Sequence, residues 1–304
     1  ITVVTVMCVQ ALGGGDEREG FKWFALIVAV IFVVFIFTTC LNIKEKSTVD
    51  VEAPSVSQMF KALVQNDQTM VVVISIVLIN CSLYITSNLL IYFFKYDFGG
   101  DKWYNGYTLF NTFGGGIQIL SMMLFYPVLR KFISSIQVCY VSFVMAISGY
   151  ALLFIFMCLG KTGIFMLFIS AFFVFSAFGM LTVLTTVFLA NTVDYGELKN
   201  DRRDESVIFS MQTFVVKLAS GVSALIASVC LSICNLSDDT SDTLATMDVA
   251  KSSVFGLRMT MTVLPVIGLL AAAFIFRKKY ILSEHKVEEI AAQIREKQGQ
   301  RDSR

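Results

Sequence analysis

Apolar residues run through this chain in blocks of twenty or more with almost no charge inside them, and polar residues gather between the blocks. Amphipathic helices of a soluble protein would carry charge on every second turn. A helix that crosses a bilayer needs about 20 mostly apolar residues. The pattern predicts seven complete spans: Phe21–Ile43, Met70–Phe94, Trp103–Leu129, Phe132–Leu159, Thr162–Val193, Ser206–Cys234 and Ser252–Phe276. Ile1–Leu12 is apolar but too short to cross, and it lacks the basic start of a signal peptide. It reads as the end of a longer helix closed by Gly13–Gly15, which makes the chain read as a piece of a larger protein. The expected fold is all-α: a truncated polytopic membrane bundle of about seven complete transmembrane helices plus part of one.

Composition sharpens this picture. Of 304 residues, 56% are apolar and 15% charged, and the mean hydropathy is +0.72. A soluble domain has about a quarter of its residues charged. The net charge of +1 supplies no field that would draw in nucleic acid. Nearly all of the seven Cys fall in apolar runs without a CxxC pair, as buried reduced thiols do. The one His, His285, sits in a polar tail, which leaves little for metal or triad chemistry; no metal site and no cofactor are expected.

The connections set an orientation. Of 24 Lys and Arg, sixteen fall on the connections that share a side with Lys44–Thr69, among them Arg130, Lys199, Arg203 and Arg277, and seven fall on the other connections and helix ends. That excess places Lys44–Thr69 and the C-terminus in the cytoplasm. Lys44–Pro54 reads as a linker between two bundles. Ser57–Val64 (Met59, Phe60, Leu63, Val64) and the tail (Val287, Ile290, Ala291, Ile294) have helical apolar spacing and read as short amphipathic helices. The expected organisation is 1–43, the end of one bundle; 44–69, a cytoplasmic loop; 70–280, a six-helix bundle; and 281–304, a cytoplasmic tail.

Polar residues inside the spans are costly, so their arrangement carries information. Lys217 lies roughly 16 Å from the inner end of its span at 1.5 Å per residue, while a Lys side chain reaches only about 6 Å toward the headgroups. Either a structural carboxylate pairs with it, or it lines a water-filled cavity. Gln212, Thr213, Val216 and Lys217 share an arc of about 140°, with Ser220 and Gly221 extending it. An amide, a hydroxyl and an ammonium facing one space suit a hydroxyl-rich ligand. Tyr107, Asn111, Gly114 and Gln118 form a second stripe, Asn80, Tyr84 and Ser87 a third, and Thr182, Thr185, Thr186 and Asn191 a fourth. Each alone fits helix–helix hydrogen bonding; together they favour a hydrophilic cavity. Gly114–Gly116 reads as close packing ahead of a hinge. Asp194–Glu205 is the densest charged stretch, either a solvated loop or a salt-bridge cluster closing an inner gate, with Asp194 and Glu205 at the helix ends.

This stretch carries a resemblance. "NTVDYGELKNDRRDESVIFSMQTFVVKLASG", Asn191–Gly221, closely resembles the glycoside–pentoside–hexuronide:cation symporters, the family of the melibiose permeases within the major facilitator superfamily. The shared pieces are DYGE at Asp194–Glu197, Arg203, Glu205–Ser206 and QTxVVK at Gln212–Lys217; "NDQ" at Asn66–Gln68 fits too. The resemblance implies twelve spans in two six-helix bundles, of which this chain would hold the end of helix 5, helix 6, the central loop and helices 7–12. It implies Gln212, Thr213, Val216 and Lys217 along the sugar cavity, with the Lys linking sugar and cation sites, and Asp194 and Arg203 in a cytoplasmic charged network. It also implies that the carboxylates for the coupling cation, H+ or Na+, lie in the N-terminal bundle. The melibiose branch tends to carry an acid where this chain has Asn191.

The expected function is cation-coupled uptake of a sugar or glycoside by alternating access. The substrate site would include Lys217, Gln212, Thr213, Val216, Tyr84 and Asn111, and the cytoplasmic gate Asp194, Arg203 and Glu205. The protein is expected to be multi-pass in the cell (inner) membrane of a bacterium and monomeric at full length, with sugar and lipid as partners and no nucleic acid. The competing readings are a membrane-embedded enzyme, such as a lipid-linked sugar transferase, and a non-transporting sensor.

Overall fold

The computed structural model describes residues 2–14, 16–42, 64–98, 103–160, 163–200, 204–236 and 251–302. Among them no strand occurs, and seven helices are long and apolar enough to cross a membrane, one for each predicted span. The linker Lys44–Pro54, all of Ser57–Val64 except Val64, the acidic connection Ser237–Asp248 and Arg203 lie outside the described residues. The chain divides into two compact units, Ile1–Ala53 and Pro54–Arg304.

In the first unit α1 (Thr2–Gly13) packs on α2 (Glu17–Asn42), and α1 ends at the glycine run as expected. Val9 is buried against α2, while the apolar side chains of α2, such as Phe32 and Phe35, stay exposed.

The second unit begins with α3 (Asp67–Tyr92), which continues as a π-helical turn over Phe93–Phe98. Then come α4 (Trp103–Leu120), a π-helical turn at Ser121–Phe125, and α5 (Tyr126–Arg130). After these follow α6 (Ser135–Cys158), α7 (Ile164–Asn200), α8 (Glu205–Ile233), α9 (Lys251–Lys279) and α10 (Glu284–Asp302). α3 packs between α8 and α9, α9 also packs on α6, and α7 lies between α6 and α4. Ile76, Phe143, Phe178, Leu184, Val215 and Leu269 meet in the core. α6 starts where Ser134 and Gln137 form a reciprocal capping box, which pairs two N–H groups that the first helical turn leaves open.

In hydrocarbon a proline must be compensated. Pro265 inside α9 has no N–H, so the Met261 carbonyl one turn earlier loses its helical partner. Thr86 Oγ1 of α3 donates to that carbonyl at 2.8 Å, and Ser82 Oγ shares its proton between the Leu78 carbonyl at 2.8 Å and the Pro265 carbonyl at 3.1 Å. The hydroxyl of fully buried Tyr150 on α6 sits 3.0 Å from Thr86 Oγ1 and 3.3 Å from the Ser82 carbonyl. The proline turn of α9 is thereby bonded directly to α3, and through α3 to α6. Beyond it, Arg258 on α9 grips the Asp97 carboxylate with two nitrogens and donates from Nη1 to the Met157 carbonyl at 2.8 Å. This bidentate pair, with the Asp97 side chain 5% exposed, ties α3, α6 and α9 together at one end of the unit.

Two expectations change in detail. The Thr162–Val193 span runs on as helix to Asn200, so Asp194–Asn200 is not a loop. Charge ended the apolar block without ending the helix: Thr192, Val193 and Gly196 keep a buried stripe at helical spacing past the block. Close packing holds at Gly114, where a Cβ would come within 2.4 Å of the Phe175 ring, but Gly115 and Gly116 face open space.

Replacing Thr86 by Val keeps its shape and orphans the Met261 carbonyl. The expected loss is about 1–3 kcal/mol, seen as a lower unfolding temperature in detergent, with Thr86→Ser close to the wild type.

Candidate functional site

α8 is held by a seam of small residues. Cys81 Sγ lies 3.7 Å from the Ala219 carbonyl, and Ser223 Oγ lies 3.2 Å from the Cys81 carbonyl and 2.7 Å from the Ala219 carbonyl. Val207, Met211, Val215, Ala219 and Ser223 form its buried arc. The exposed arc divides in two at about 100° per residue. One flank carries Thr213, Lys217, Ser220 and Gly221; the other carries Phe214, Leu218 and Leu225, each large, apolar and exposed. The uncovered surface of α8 is therefore half polar and half greasy, as a helix between water and lipid requires.

Lys217 sits about 18 Å along α8 from its first residue. Its side chain is exposed, and no ion pair or hydrogen bond engages it among the described residues. The structural-carboxylate reading of Lys217 therefore finds no support there. Gln212 is half-buried at the edge of the polar flank and donates from Nε2 to Thr186 Oγ1 of α7 at 3.2 Å. Val216 is half-buried and packs against the core. Tyr84 is half-buried on α3, within about 60° of the Cys81 position that meets α8. Asn111 on α4 turns its amide back to the Tyr107 carbonyl at 2.9 Å. Four of the six candidate residues thus share one stretch of α8. Among the described residues no hydrogen bond joins Tyr84 or Asn111 to them.

The polar stripes are largely spent within their own helices: Asn80 bonds the Ile76 carbonyl and Thr182 the Phe178 carbonyl. The contact to Thr186 was not singled out by sequence reasoning, although Thr186 lay in a recognised stripe; spacing along one helix does not reveal which neighbour it meets.

At the opposite end from Arg258, two sequence motifs meet. Asn66 caps α3, accepting from Thr69 N at 3.1 Å, and its Nδ2 donates to the Thr192 carbonyl at 2.8 Å. It is 2% exposed, and a Cβ on Gly196 would lie 2.5 Å from its Nδ2, so the glycine of DYGE leaves room for the asparagine of NDQ. Thr69 Oγ1 donates to Thr192 Oγ1 at 2.9 Å. Asp67 pairs with Lys199 and accepts from the Tyr195 hydroxyl at 3.2 Å. Gln68 Oε1 accepts from Ile281 N at 3.0 Å, just past α9. The exposed Asp67–Lys199 pair is worth at most about 1 kcal/mol; the buried Asn66 bonds hold the junction. Asp194 is half-buried in the last turns of α7 and Glu205 is exposed at the start of α8.

α10 packs on α7 with Ile290 buried, as the amphipathic spacing of the tail implied. Its first residue, Glu284, accepts from Ser135 N at 2.8 Å and pairs with Arg130 at 2.7 Å. Among the described residues no group of three or more His, Cys, Asp or Glu could hold a metal ion.

Residues 1–283 match the family described as MFS/sugar transport protein. The chain belongs to the MFS/sugar transport protein family. It is 28% identical over 287 residues to a lactose permease of Lactobacillus delbrueckii subsp. bulgaricus, covering 93% of this chain and 44% of that protein. It is 28% identical over 294 residues to a raffinose carrier protein of Pediococcus pentosaceus, covering 94% and 43%. An isoprimeverose transporter of Lactiplantibacillus pentosus is 26% identical over 241 residues, covering 76% and 48%. The chain spans less than half the length of each of these relatives. As a member of this family it is a multi-pass membrane protein, in keeping with its seven candidate spans.

The Ser135 N–H, then Arg130, holds the Glu284 carboxyl below its ordinary 4.5. A lowered folded value means that the clasp contributes fully above 4.5 and is lost as pH falls through that lowered value. The distance between spin labels on α10 and α6 should grow as pH falls below 4.5, and a Glu284→Ala variant should show that larger distance already at neutral pH.

Proposed function

We propose that this chain forms part of a secondary transporter that carries a sugar or glycoside together with a cation, H+ or Na+. The observation that carries the proposal is Lys217, exposed deep in a span, without an acid partner among the described residues, on the polar flank of α8. A bare ammonium in hydrocarbon costs several kcal/mol, so that flank faces water, and Thr213 and Gln212 beside it offer both donors and acceptors to sugar hydroxyls. The family is one of transport proteins, which sets the membrane-enzyme reading aside. Relatives named for lactose, raffinose and isoprimeverose point to a glycoside as the substrate class.

In this reading Tyr84 and Asn111 complete the sugar site from α3 and α4. Asp194, Arg203 and Glu205 close the cytoplasmic side, and the second unit moves as one body against another bundle. The protein resides in the cell membrane as a monomer, with the Asp67 end of α3, the Lys199 end of α7 and all of α10 in the cytoplasm, in line with the excess of basic residues on that side.

Lys217→Ala should abolish accumulation of labelled glycoside in cells expressing the protein that carries this chain, with its amount in the membrane unchanged. Accumulation at the wild-type level in that variant would remove Lys217 from the site.

A further inference from the structure

Thr186 stands on α7, outside the α8 motif, and its hydroxyl is the one described partner of the Gln212 amide. A threonine has a single hydroxyl proton. The acceptor in reach of that proton is the Thr182 carbonyl one turn earlier, at 3.3 Å, which also takes Thr185 Oγ1 at 3.0 Å, and the network assigns the proton there. Thr186 Oγ1 is then left with lone pairs only, and it can accept from Gln212 but cannot donate to it. An amide has two ends of similar shape and opposite hydrogen-bonding sense, and its neighbours decide which way it turns. With Thr186 accepting, the NH2 group of Gln212 turns toward α7 and Oε1 turns away from it. The reverse orientation would set a carbonyl oxygen against an oxygen with no proton to share.

The consequence reaches the ligand. Lys217 offers donors only. A flank on which Gln212 also presented its NH2 group outward would have only the weaker hydroxyl acceptors of Thr213 and Ser220 to offer a substrate proton, without the amide carbonyl. With Oε1 outward, an acceptor stands one to two turns from the ammonium, and the flank takes both the proton and the lone pairs of sugar hydroxyls. We propose that Thr186 is a positioning residue: through its bond to Gln212 it fixes the amide so that Oε1 accepts a hydroxyl proton from the bound glycoside. The inference rests on the transport reading given above and adds a residue, and a direction of hydrogen bonding, to that site.

The test uses uptake kinetics of the best-transported glycoside and of its monodeoxy analogues, in cells making equal amounts of each variant. In the wild type, one deoxy position should raise KM by about 3- to 10-fold, the worth of one hydrogen bond. In Thr186→Val, KM for the parent glycoside should rise by a similar factor with the maximal rate kept, and that deoxy position should no longer be penalised. Thr186→Ser should restore both values. Thr186→Ala gives the same readout should the valine variant fail to reach the membrane. Unchanged KM with an intact deoxy pattern in the valine or alanine variant overturns the inference while the transport reading stands. So does a serine variant that behaves like valine. A wild-type protein that accumulates no glycoside overturns the transport reading and this inference with it.

Discussion

Hydrocarbon offers no partner to a polar group, so every donor and acceptor within a span must be matched inside the protein or face a wet space. The second unit follows this constraint at its charged, amide and proline-released groups, although the hydroxyls of Thr108 and Ser176 are buried without a partner among the described residues. The carbonyl released by Pro265 is taken by Thr86, the asparagine that caps α3 reaches the backbone of α7, and the guanidinium of Arg258 is divided between a carboxylate and a carbonyl. Lys217 departs from the pattern. Its ammonium is unmatched among the described residues, and its neighbours on that flank are small or hydroxylated while the adjoining flank is greasy. The departure identifies the side of α8 that must meet water.

The matched groups also determine what kind of body the unit is. Bonds at the Asp97 end join α3, α6 and α9, and bonds at the Asn66 end join α3, α7 and the residues after α9. Side chains pack between these two polar layers. Such a unit resists internal shear and suits movement as a whole. α7 adds length to it: 37 helical residues extend about 55 Å, against a hydrocarbon layer of about 30 Å. The surplus carries DYGE beyond the apolar block, to the place where Gly196 admits Asn66 and Tyr195 and Lys199 meet Asp67.

Much of this was legible in the residue order. Seven apolar blocks became seven helices because span length is set by the bilayer and shows as composition. The α8 motif became one flank because helical periodicity is a local property. The end of α7 was misplaced because loss of apolar character marks the membrane boundary, whereas the helix continues until its buried stripe stops. The bonds of Thr86 to Met261, of Arg258 to Asp97 and of Gln212 to Thr186 link residues far apart in sequence, and periodicity within one helix carries no information about which helix lies beside it. A proline in a span with a hydroxyl residue in another was the one available hint, and it does not specify a pair.

The account stands most directly on the wetness of the Lys217 flank. In a background with the native cysteines replaced, Lys217→Cys and Leu225→Cys place one thiol on each exposed flank of the same helix. A charged, water-soluble thiol reagent should modify position 217 quickly and position 225 slowly, and under the proposed transport function a glycoside substrate should slow the first reaction. Equal reactivity at the two positions, or faster reaction at 225, would contradict a water-filled cavity on the polar side of α8.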